Sequence, residues 1–150
     1  MSSHRIIQIA WEGPFALDAA IVSSPAASQG LYQIYGQHVV FGANALLYIG
    51  MTAGQTFATR LTQHRERWLK YEEDVTIRLG IPAGISSPKD LLDIEALTIW
   101  WHSPPYNSKN IWNYNGSALR VQNSGARGRL HPEYSSHWKP NRTPPEGENQ

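Results

Sequence analysis

The stretch that decides the fold contains two β-favouring runs, Gly30–Gly36 (GLYQIYG) and Ala45–Thr52 (ALLYIGMT). Both runs are rich in aromatic and β-branched residues, which favour extended strands. Between them, Gly42–Asn44 supplies residues that are typical of turns. The two runs therefore predict an antiparallel β-hairpin with a long connection.

Two helices and a third strand are predicted after the hairpin. Thr56–Lys70 begins with a capping residue and has part of an apolar stripe at helical spacing. Asp74–Leu79 (DVTIRL) predicts a strand. Ser87 is a good helix cap and Pro88 suits the first helical position, so a second helix should begin there. It should run to about His102, because two prolines follow.

The order of these elements predicts a small α/β (α+β) domain, in which a three-stranded antiparallel sheet is flanked by helices. Residues 30–107 would form its core. Residues 1–29 would form an N-terminal extension, in which Ile6–Trp11 could be a short strand. Residues 108–150 would form a basic, irregular C-terminal extension that ends in a frayed tail, Thr143–Gln150.

Composition narrows the chemistry that this chain can perform. With 150 residues, of which 41% are hydrophobic, it can bury the core of one domain. It has no Cys, which excludes disulfides, a thiolate nucleophile and a Cys-based zinc site, and leaves His, Asp and Glu as metal ligands. We see no leader segment and no run of about 20 apolar residues, so we expect a cytoplasmic protein without a membrane partner.

Positive charge is concentrated in two segments, although the net charge is only +1. Residues 60–70 hold four Lys or Arg and one acid, and residues 108–142 hold six against one Glu. Such segments fit a phosphate-binding surface or an ordinary solvated one. Aromatic residues interleaved with the second segment could stack on bases or complete the core. The candidate nucleic-acid contacts are Arg65, Arg67, Lys109, Arg120, Arg127 and Arg129.

Six polar side chains suited to phosphodiester chemistry fall in or beside the predicted elements. Two tyrosines on neighbouring strands can bring both hydroxyls to one cleft if they face the same way. An arginine and a histidine four residues apart share one helix face and can contact a phosphate. A helical carboxylate can bind a divalent cation, and a following Asn can hold it or the phosphate. The six are Tyr32, Tyr48, Arg60, His64, Glu95 and Asn107.

Taken together and in this order, the pieces resemble the motifs of the GIY-YIG nuclease family. They are Gly30-Leu31-Tyr32, Tyr48-Ile49-Gly50, Arg60 with His64, Glu95, and the stretch from Pro104 to Asn107. The resemblance implies a metal-dependent endonuclease, of restriction or DNA repair type, that hydrolyses phosphodiester bonds in DNA.

The resemblance also implies a role for each residue. Tyr32 would take the proton from water, Tyr48 would orient water or phosphate, and Arg60 would stabilise the phosphate. His64 would assist the proton relay, and Glu95 would bind Mg²⁺, or Mn²⁺ in its place. Asn107 would hold the carboxylate or the phosphate. Cutting both strands with one site takes a second copy or two encounters, which leaves a homodimer open.

Two departures from the family pattern keep other interpretations open. Met51–Gly54 follows the second motif without the basic residue that many members carry there. The chain could therefore be a non-catalytic nucleic-acid-binding module on the same fold, or an unrelated α/β domain that acts through a protein partner. The interval between the two motif tyrosines is also long, so Gly36–Asn44 is either a substrate-contacting loop or a longer hairpin tip.

Overall fold

A computed structural model describes residues 5–85 and 87–137, in which one mixed sheet is covered by helices. The predicted frayed tail, Thr143–Gln150, lies outside these residues. The strands are β1 (Arg5–Ala16), β2 (Leu31–His38), β3 (Gly42–Met51), β4 (Thr76–Ala83), β5 (Leu119–Gly125) and β6 (Glu133–Ser135). The α-helices are α1 (Leu17–Ile21), α2 (Phe57–Arg67) and α3 (Pro88–His102).

The predicted three-stranded sheet is wrong, because the sheet has six strands in the order β3-β2-β4-β1-β5-β6. Strand β1 pairs antiparallel with β4 and parallel with β5, and β6 pairs antiparallel with β5. Both flanking segments of the chain thus contribute strands. The alternation of buried Ile7, Ile9 and Trp11 with less buried neighbours gives β1 one face for the core.

The predicted hairpin is confirmed as β2 and β3, whose register decides where the two motif tyrosines point. Tyr32 pairs with Gly50, and Ile34 pairs with Tyr48. Because side chains alternate along a strand, Tyr32 and Ile34 share one face, and paired residues on neighbouring strands share a face as well. Tyr48 therefore projects to the same face as Tyr32, two residue pairs further along the hairpin.

The sheet has a helical layer on each face. Ile94 and Leu97 of α3 belong to one buried cluster, together with apolar residues of β1, β2, β3 and β5. Phe57 and Leu61 of α2 belong to a second cluster, with Tyr32 and other residues of β2 and β4. Strand β3 lies at the edge of the sheet, so side chains from both layers can meet there.

Local capping fixes where the two long helices begin, as predicted. The side chain of Thr56 accepts a hydrogen bond from the Thr59 amide at the start of α2. Ser87 and Asp90 form a reciprocal capping box at the start of α3, which follows Ser87 directly with Pro88. Helix α2 ends at Arg67, earlier than predicted. Among the described helices, none is long and apolar enough to cross a membrane.

Candidate functional site

Tyr32 and His64 form a buried hydrogen-bonded pair between β2 and α2. The Tyr32 hydroxyl lies 2.6 Å from Nε2 of His64, and Tyr32 is completely buried. The indole N–H of Trp68 donates to Nδ1 of His64 over 3.0 Å. Because an indole nitrogen only donates, Nδ1 must accept, and neutral His64 carries its proton on Nε2. His64 is therefore the donor to the Tyr32 oxygen.

The charge state of His64 follows from its surroundings. Burial, together with the nearby charges of Arg60 and Arg67, lowers its pKa to about 4. The imidazole is therefore neutral at pH 7. A neutral donor on Nε2 stabilises negative charge on the Tyr32 oxygen without adding a net charge to the pocket.

Gly50 makes room for the phenol of Tyr32. A Cβ built on Gly50 would lie 2.7 Å from Cε2 of Tyr32 and would also overlap its hydroxyl. These two residues are paired across β2 and β3, so the ring lies directly over the bare backbone of its partner. The glycine of the second motif is therefore needed for the position of the first motif's tyrosine.

We expect Gly50→Ala to lower the free energy of unfolding by about 1–3 kcal/mol, because overpacking moves the Tyr32 ring. For a chain of this size, that corresponds to a fall in Tm of roughly 3–10 °C. Thermal melts of a double-mutant cycle give the control. In a Tyr32→Ala background the ring is gone, so Gly50→Ala should change Tm little. Equal losses in both backgrounds would contradict this account of Gly50.

Tyr48 lies beside this pair and is half-buried at the edge of the sheet. Its ring centroid is 6.3 Å from that of Tyr32 and 5.4 Å from that of His64. Burial raises the pKa of Tyr48, Glu95 raises it further, and Arg60 lowers it. The charges of Arg60 and Glu95 therefore both act on the Tyr48 hydroxyl.

Arg60 is the cation that the whole cluster shares. It lies one helical turn before His64 on α2, and its Nη1 donates to Oε1 of Gln63 over 2.9 Å. Its charge lowers the pKa of Tyr32, Tyr48 and Glu95, in each case against the larger effect of burial. Within the described residues, its buried Nε has no hydrogen-bond partner.

Glu95 reaches the cluster from the opposite layer, on α3. Burial outweighs the charges of Arg60 and Lys109 and a hydrogen bond from the Met51 amide, so the pKa of Glu95 is raised to about 7. Glu95 and Tyr48 line one cavity of about 260 Å³. The carboxylate is therefore half-buried and accessible through a cavity. The positive charges near it do not offset the effect of burial on its pKa.

Asn107 is bound to the edge strand rather than to Glu95. Its Oδ1 accepts from the Ile49 amide and its Nδ2 donates to the Ile49 carbonyl, both over 2.9 Å. The neighbouring Tyr106 amide donates to the Leu47 carbonyl. Asn107 lines the cavity with Glu95, but the contacts that the structure shows hold the loop after α3 against β3. The predicted hydrogen bond to Glu95 is not among them.

The candidate nucleic-acid contacts divide into two groups. Arg67 lines a cavity of about 250 Å³ with Tyr48 and His64, and Lys109 lines the Glu95 cavity. The other four are not among the residues that line these two cavities, and each has a partner of its own. Arg65 pairs with Asp18, Arg120 pairs with Glu133, Arg127 donates to the Leu130 carbonyl, and Arg129 donates to the Asn44 carbonyl.

Sequence reasoning missed two aromatic residues of the site, Trp68 and Tyr106. Trp68 sets the tautomer of His64, and the available signal was its position four residues after His64, directly after the end of α2. Tyr106 lines both cavities beside Tyr48 and packs edge-on against Trp68 at 5.6 Å. Its signal was weaker, since a position in the loop after α3 does not show which strand the loop approaches.

Comparisons with known proteins found no match to this chain. No protein-family model matches the chain, and no curated protein or solved structure matches it significantly. What the chain does is therefore inferred from its own residues.

Proposed function

We propose that this chain is a metal-dependent endonuclease of the GIY-YIG type that hydrolyses phosphodiester bonds in DNA. One observation carries the proposal. The Tyr32–His64 pair of one helical layer and Glu95 of the other meet at Tyr48, which lines one cavity with His64 and another with Glu95, and the charge of Arg60 acts on all four. A base, a cation for the phosphate and a carboxylate are the parts that phosphodiester hydrolysis needs.

In this proposal, Tyr32 as phenolate takes the proton from the water that attacks phosphorus. As the new P–O bond forms, the P–O bond to the leaving sugar oxygen breaks, and that oxygen takes a proton from solvent water. The Nε2–H of His64 donates to the phenolate oxygen and stabilises it, and Trp68 keeps His64 in that tautomer. Arg60 stabilises the charge that develops on the phosphoryl oxygens, through its planar array of donors. Tyr48 lies where it can orient the water or the phosphate.

Glu95 fits a divalent cation, for which we propose Mg²⁺, with Mn²⁺ as a substitute. A half-buried carboxylate with a raised pKa gains from a nearby cation, and its cavity can also hold water. Within residues 5–85 and 87–137, no group of three or more His, Asp or Glu could hold a metal ion. A single carboxylate suits Mg²⁺, which keeps several waters and takes other ligands from the substrate. When bound, the cation would act as a Lewis acid on the phosphate.

Arg67 and Lys109 support DNA as the substrate class, because each is a positively charged residue that lines a cavity of the site. Lys and Arg contacts to phosphates supply much of the affinity of proteins for nucleic acids. With one site per chain, cleavage of both strands would require a homodimer or two successive encounters.

One observation favours the alternative, a non-catalytic nucleic-acid-binding module. Burial raises the pKa of Tyr32 well above its ordinary range, and the opposing charge of Arg60 does not reverse this. Tyr32 is therefore a protonated phenol in the unliganded protein at neutral pH. A binding module would leave it so, whereas an endonuclease must lower its pKa when substrate and cation are bound.

The decisive experiment is cleavage of supercoiled plasmid and of branched DNA with Mg²⁺ or Mn²⁺, with chelator as the blank. We expect the wild type to cut and Tyr32→Phe to cut at least about 100-fold more slowly, because it lacks the general base. Tyr35→Phe is the matched control. Tyr35 is also buried on β2, and its hydroxyl donates to Gln33 and accepts from the Arg129 amide.

The outcomes separate the two functions. Binding of DNA without cleavage by the wild type would select the binding module. Equal cleavage by the wild type and Tyr32→Phe would remove Tyr32 from the mechanism. Equal loss in Tyr32→Phe and Tyr35→Phe would point to a folding effect instead.

A further inference from the structure

A row of aromatic rings leads from the candidate site to the tip of the β2–β3 hairpin. The centroid separations along the row are 6.1, 5.6, 5.8 and 4.8 Å. The rings belong, in order, to Tyr48, Trp68, Tyr106, His38 and Phe41. The first ring lines both cavities of the site, so the row is continuous with it.

The hairpin tip exposes three consecutive apolar side chains, Val39, Val40 and Phe41. Their exposed fractions are 101%, 76% and 65%. Exposed apolar groups that lie next to one another are a feature of interaction sites, unlike single exposed ones. The tip has a defined conformation, because Nδ1 of His38 accepts hydrogen bonds from the Val40 and Phe41 amides over 3.1 and 3.2 Å.

A guanidinium group accompanies the exposed ring. Phe41 and Arg129 line one cavity of about 310 Å³ on the surface. Arg129 is anchored by a 3.0 Å hydrogen bond from its Nε to the Asn44 carbonyl, beside the hairpin tip. A flat ring next to a guanidinium fits a nucleotide, because the base can stack on the ring while the phosphate meets the positive charge.

We propose that this row of rings binds an unpaired stretch of DNA strand next to the scissile phosphate, with one unpaired base stacked on Phe41 and its phosphate at Arg129. This inference rests on the proposed function and specifies its substrate class. Neighbouring rings in the row are 4.8 to 6.1 Å apart and pack against one another, mostly edge-on or tilted. They form a continuous aromatic surface along which a strand can lie, and Phe41 at its end is 65% exposed and can stack on a base.

The base that binds Phe41 must be unpaired, because stacking on this ring requires a base face that no neighbouring base covers. Inside a duplex both faces of a base are covered by its neighbours, whereas a base in a bulge, flap or single strand has an open face. One face of the Phe41 ring stacks on His38, and 65% of the residue is exposed. DNA with unpaired bases should therefore bind better than continuous duplex.

Fluorescence anisotropy in chelator, where no cleavage interferes, tests this with a bulged duplex and its fully paired counterpart. We expect Phe41→Leu to weaken binding of the bulged DNA by about 5- to 150-fold, since stacking contributes about 1–3 kcal/mol per base. Binding of paired duplex should change little, and Phe41→Tyr should bind both like the wild type. Tyr71→Leu is the matched control, because it removes another ring that is 75% exposed.

The two partners at the tip should respond differently to salt. Arg129→Gln should reduce the slope of log affinity against log salt by about 0.7–0.9, the change expected for one phosphate contact. Phe41→Leu should leave that slope unchanged. A 2-aminopurine placed in the bulge should lose fluorescence on binding to the wild type, and much less on binding to Phe41→Leu.

Several results would overturn the inference. If the wild type binds DNA and Phe41→Leu does not change the preference for bulged DNA, the tip is not a base-binding site, and the proposed nuclease function still stands. If the wild type binds no DNA at all, the nuclease proposal fails as well. If Phe41→Leu instead abolishes a dimer in sedimentation, or binding to phosphatidylserine vesicles, the tip belongs to a second copy or to a membrane surface.

Discussion

Replacing Glu95 with Gln is expected to lower metal-dependent DNA cleavage by about 1000-fold or more, because a bound cation contributes several kcal/mol to the transition state. Gln keeps the size and shape of the side chain and removes the negative charge that holds Mg²⁺. DNA affinity in chelator should change by less than about fivefold, since phosphate contacts come from Lys and Arg. Cleavage and anisotropy assays on the same substrate measure the two effects separately.

Asp93→Asn is the matched control for this change. Asp93 is a buried carboxylate on the same helix, held by Lys89 at 2.6 Å and by the Ser117 hydroxyl at 2.9 Å. Its loss should reduce Tm and leave the response to Mg²⁺ and Mn²⁺ intact. If Glu95→Gln cuts DNA as fast as Asp93→Asn, Glu95 does not bind the catalytic cation.

The raised pKa of Glu95 gives a second, independent measurement. Between about pH 4.5 and pH 7, the unfolded chain releases the Glu95 proton while the folded chain keeps it. The protonated Glu95 carboxyl therefore contributes stability that is fully present below pH 4.5 and is lost as pH rises through about 7. The change is at most about 3 kcal/mol, at 1.36 kcal/mol for each pKa unit.

Cation binding should show the opposite dependence on pH. It needs the ionised carboxylate, so the rise in Tm caused by Mg²⁺ should be small at pH 5 and should grow as pH passes 7. Glu95→Gln should remove both this rise and the underlying loss of stability. A Glu95→Gln protein whose Tm follows pH and Mg²⁺ as the wild type does would contradict the assignment.

The elements that were predicted correctly have local signals. The β2–β3 hairpin could be recognised from two β-favouring runs with turn residues between them, and the start of α3 from its cap at Ser87 and Pro88. In each case the partners lie close together in the sequence. Local propensity and short-range hydrogen bonds therefore decide the structure of the hairpin and of the start of α3, and both can be predicted from neighbouring residues in the sequence.

The rest of the sheet depends on pairing between distant segments. Strand β1 pairs with β5 in parallel, with Arg5 opposite Leu119 and Trp11 opposite Gly125. In β5, only Leu119 and Val121 give an apolar alternation, and the neighbouring residues are polar. Such a strand is stabilised by the partner that it meets in the folded chain, which no local pattern identifies.

In the candidate site, too, the features decided by local periodicity could be predicted, and those decided by contacts between distant segments could not. That Tyr32 and Tyr48 share a face follows from the alternation of side chains in a hairpin, and that Arg60 and His64 share a face follows from helical periodicity. The place of Asn107 could not be predicted, because it depends on the loop after α3 running along the edge of β3. Contacts of loops with a sheet edge are decided by the whole fold.

Arg60→Ala is expected to lower cleavage by about 10³- to 10⁵-fold, the range in which arginines that stabilise a transferring phosphoryl group contribute. Among the described residues, no other charge acts on so much of the cluster, because Arg60 influences Tyr32, Tyr48, His64 and Glu95 together. The free energy of unfolding should change by about 1 kcal/mol or less, since a partly exposed Arg adds little to stability. Thermal melts of the same preparations test that point.

The pKa values of the neighbours distinguish an electrostatic role from a merely structural one. Arg60 lowers the pKa of both His64 and Glu95, so Arg60→Ala should raise both, above about 4 and about 7 respectively. NMR titration of the His64 ring and the Glu95 carboxyl measures these shifts directly. Arg60→Lys keeps the charge without the planar fork, so it should leave both pKa values near those of the wild type while cleavage stays low.

Arg65→Ala provides the control on the same helix, because Arg65 pairs with Asp18 over 2.9 Å instead of facing the cluster. It should cleave DNA at nearly the rate of the wild type and leave the pKa of His64 unchanged. A large fall in Tm for Arg60→Ala would show that Arg60 supports the fold. Wild-type cleavage by Arg60→Ala would exclude it from the chemistry, and the cluster would then lack the cation that phosphate hydrolysis requires.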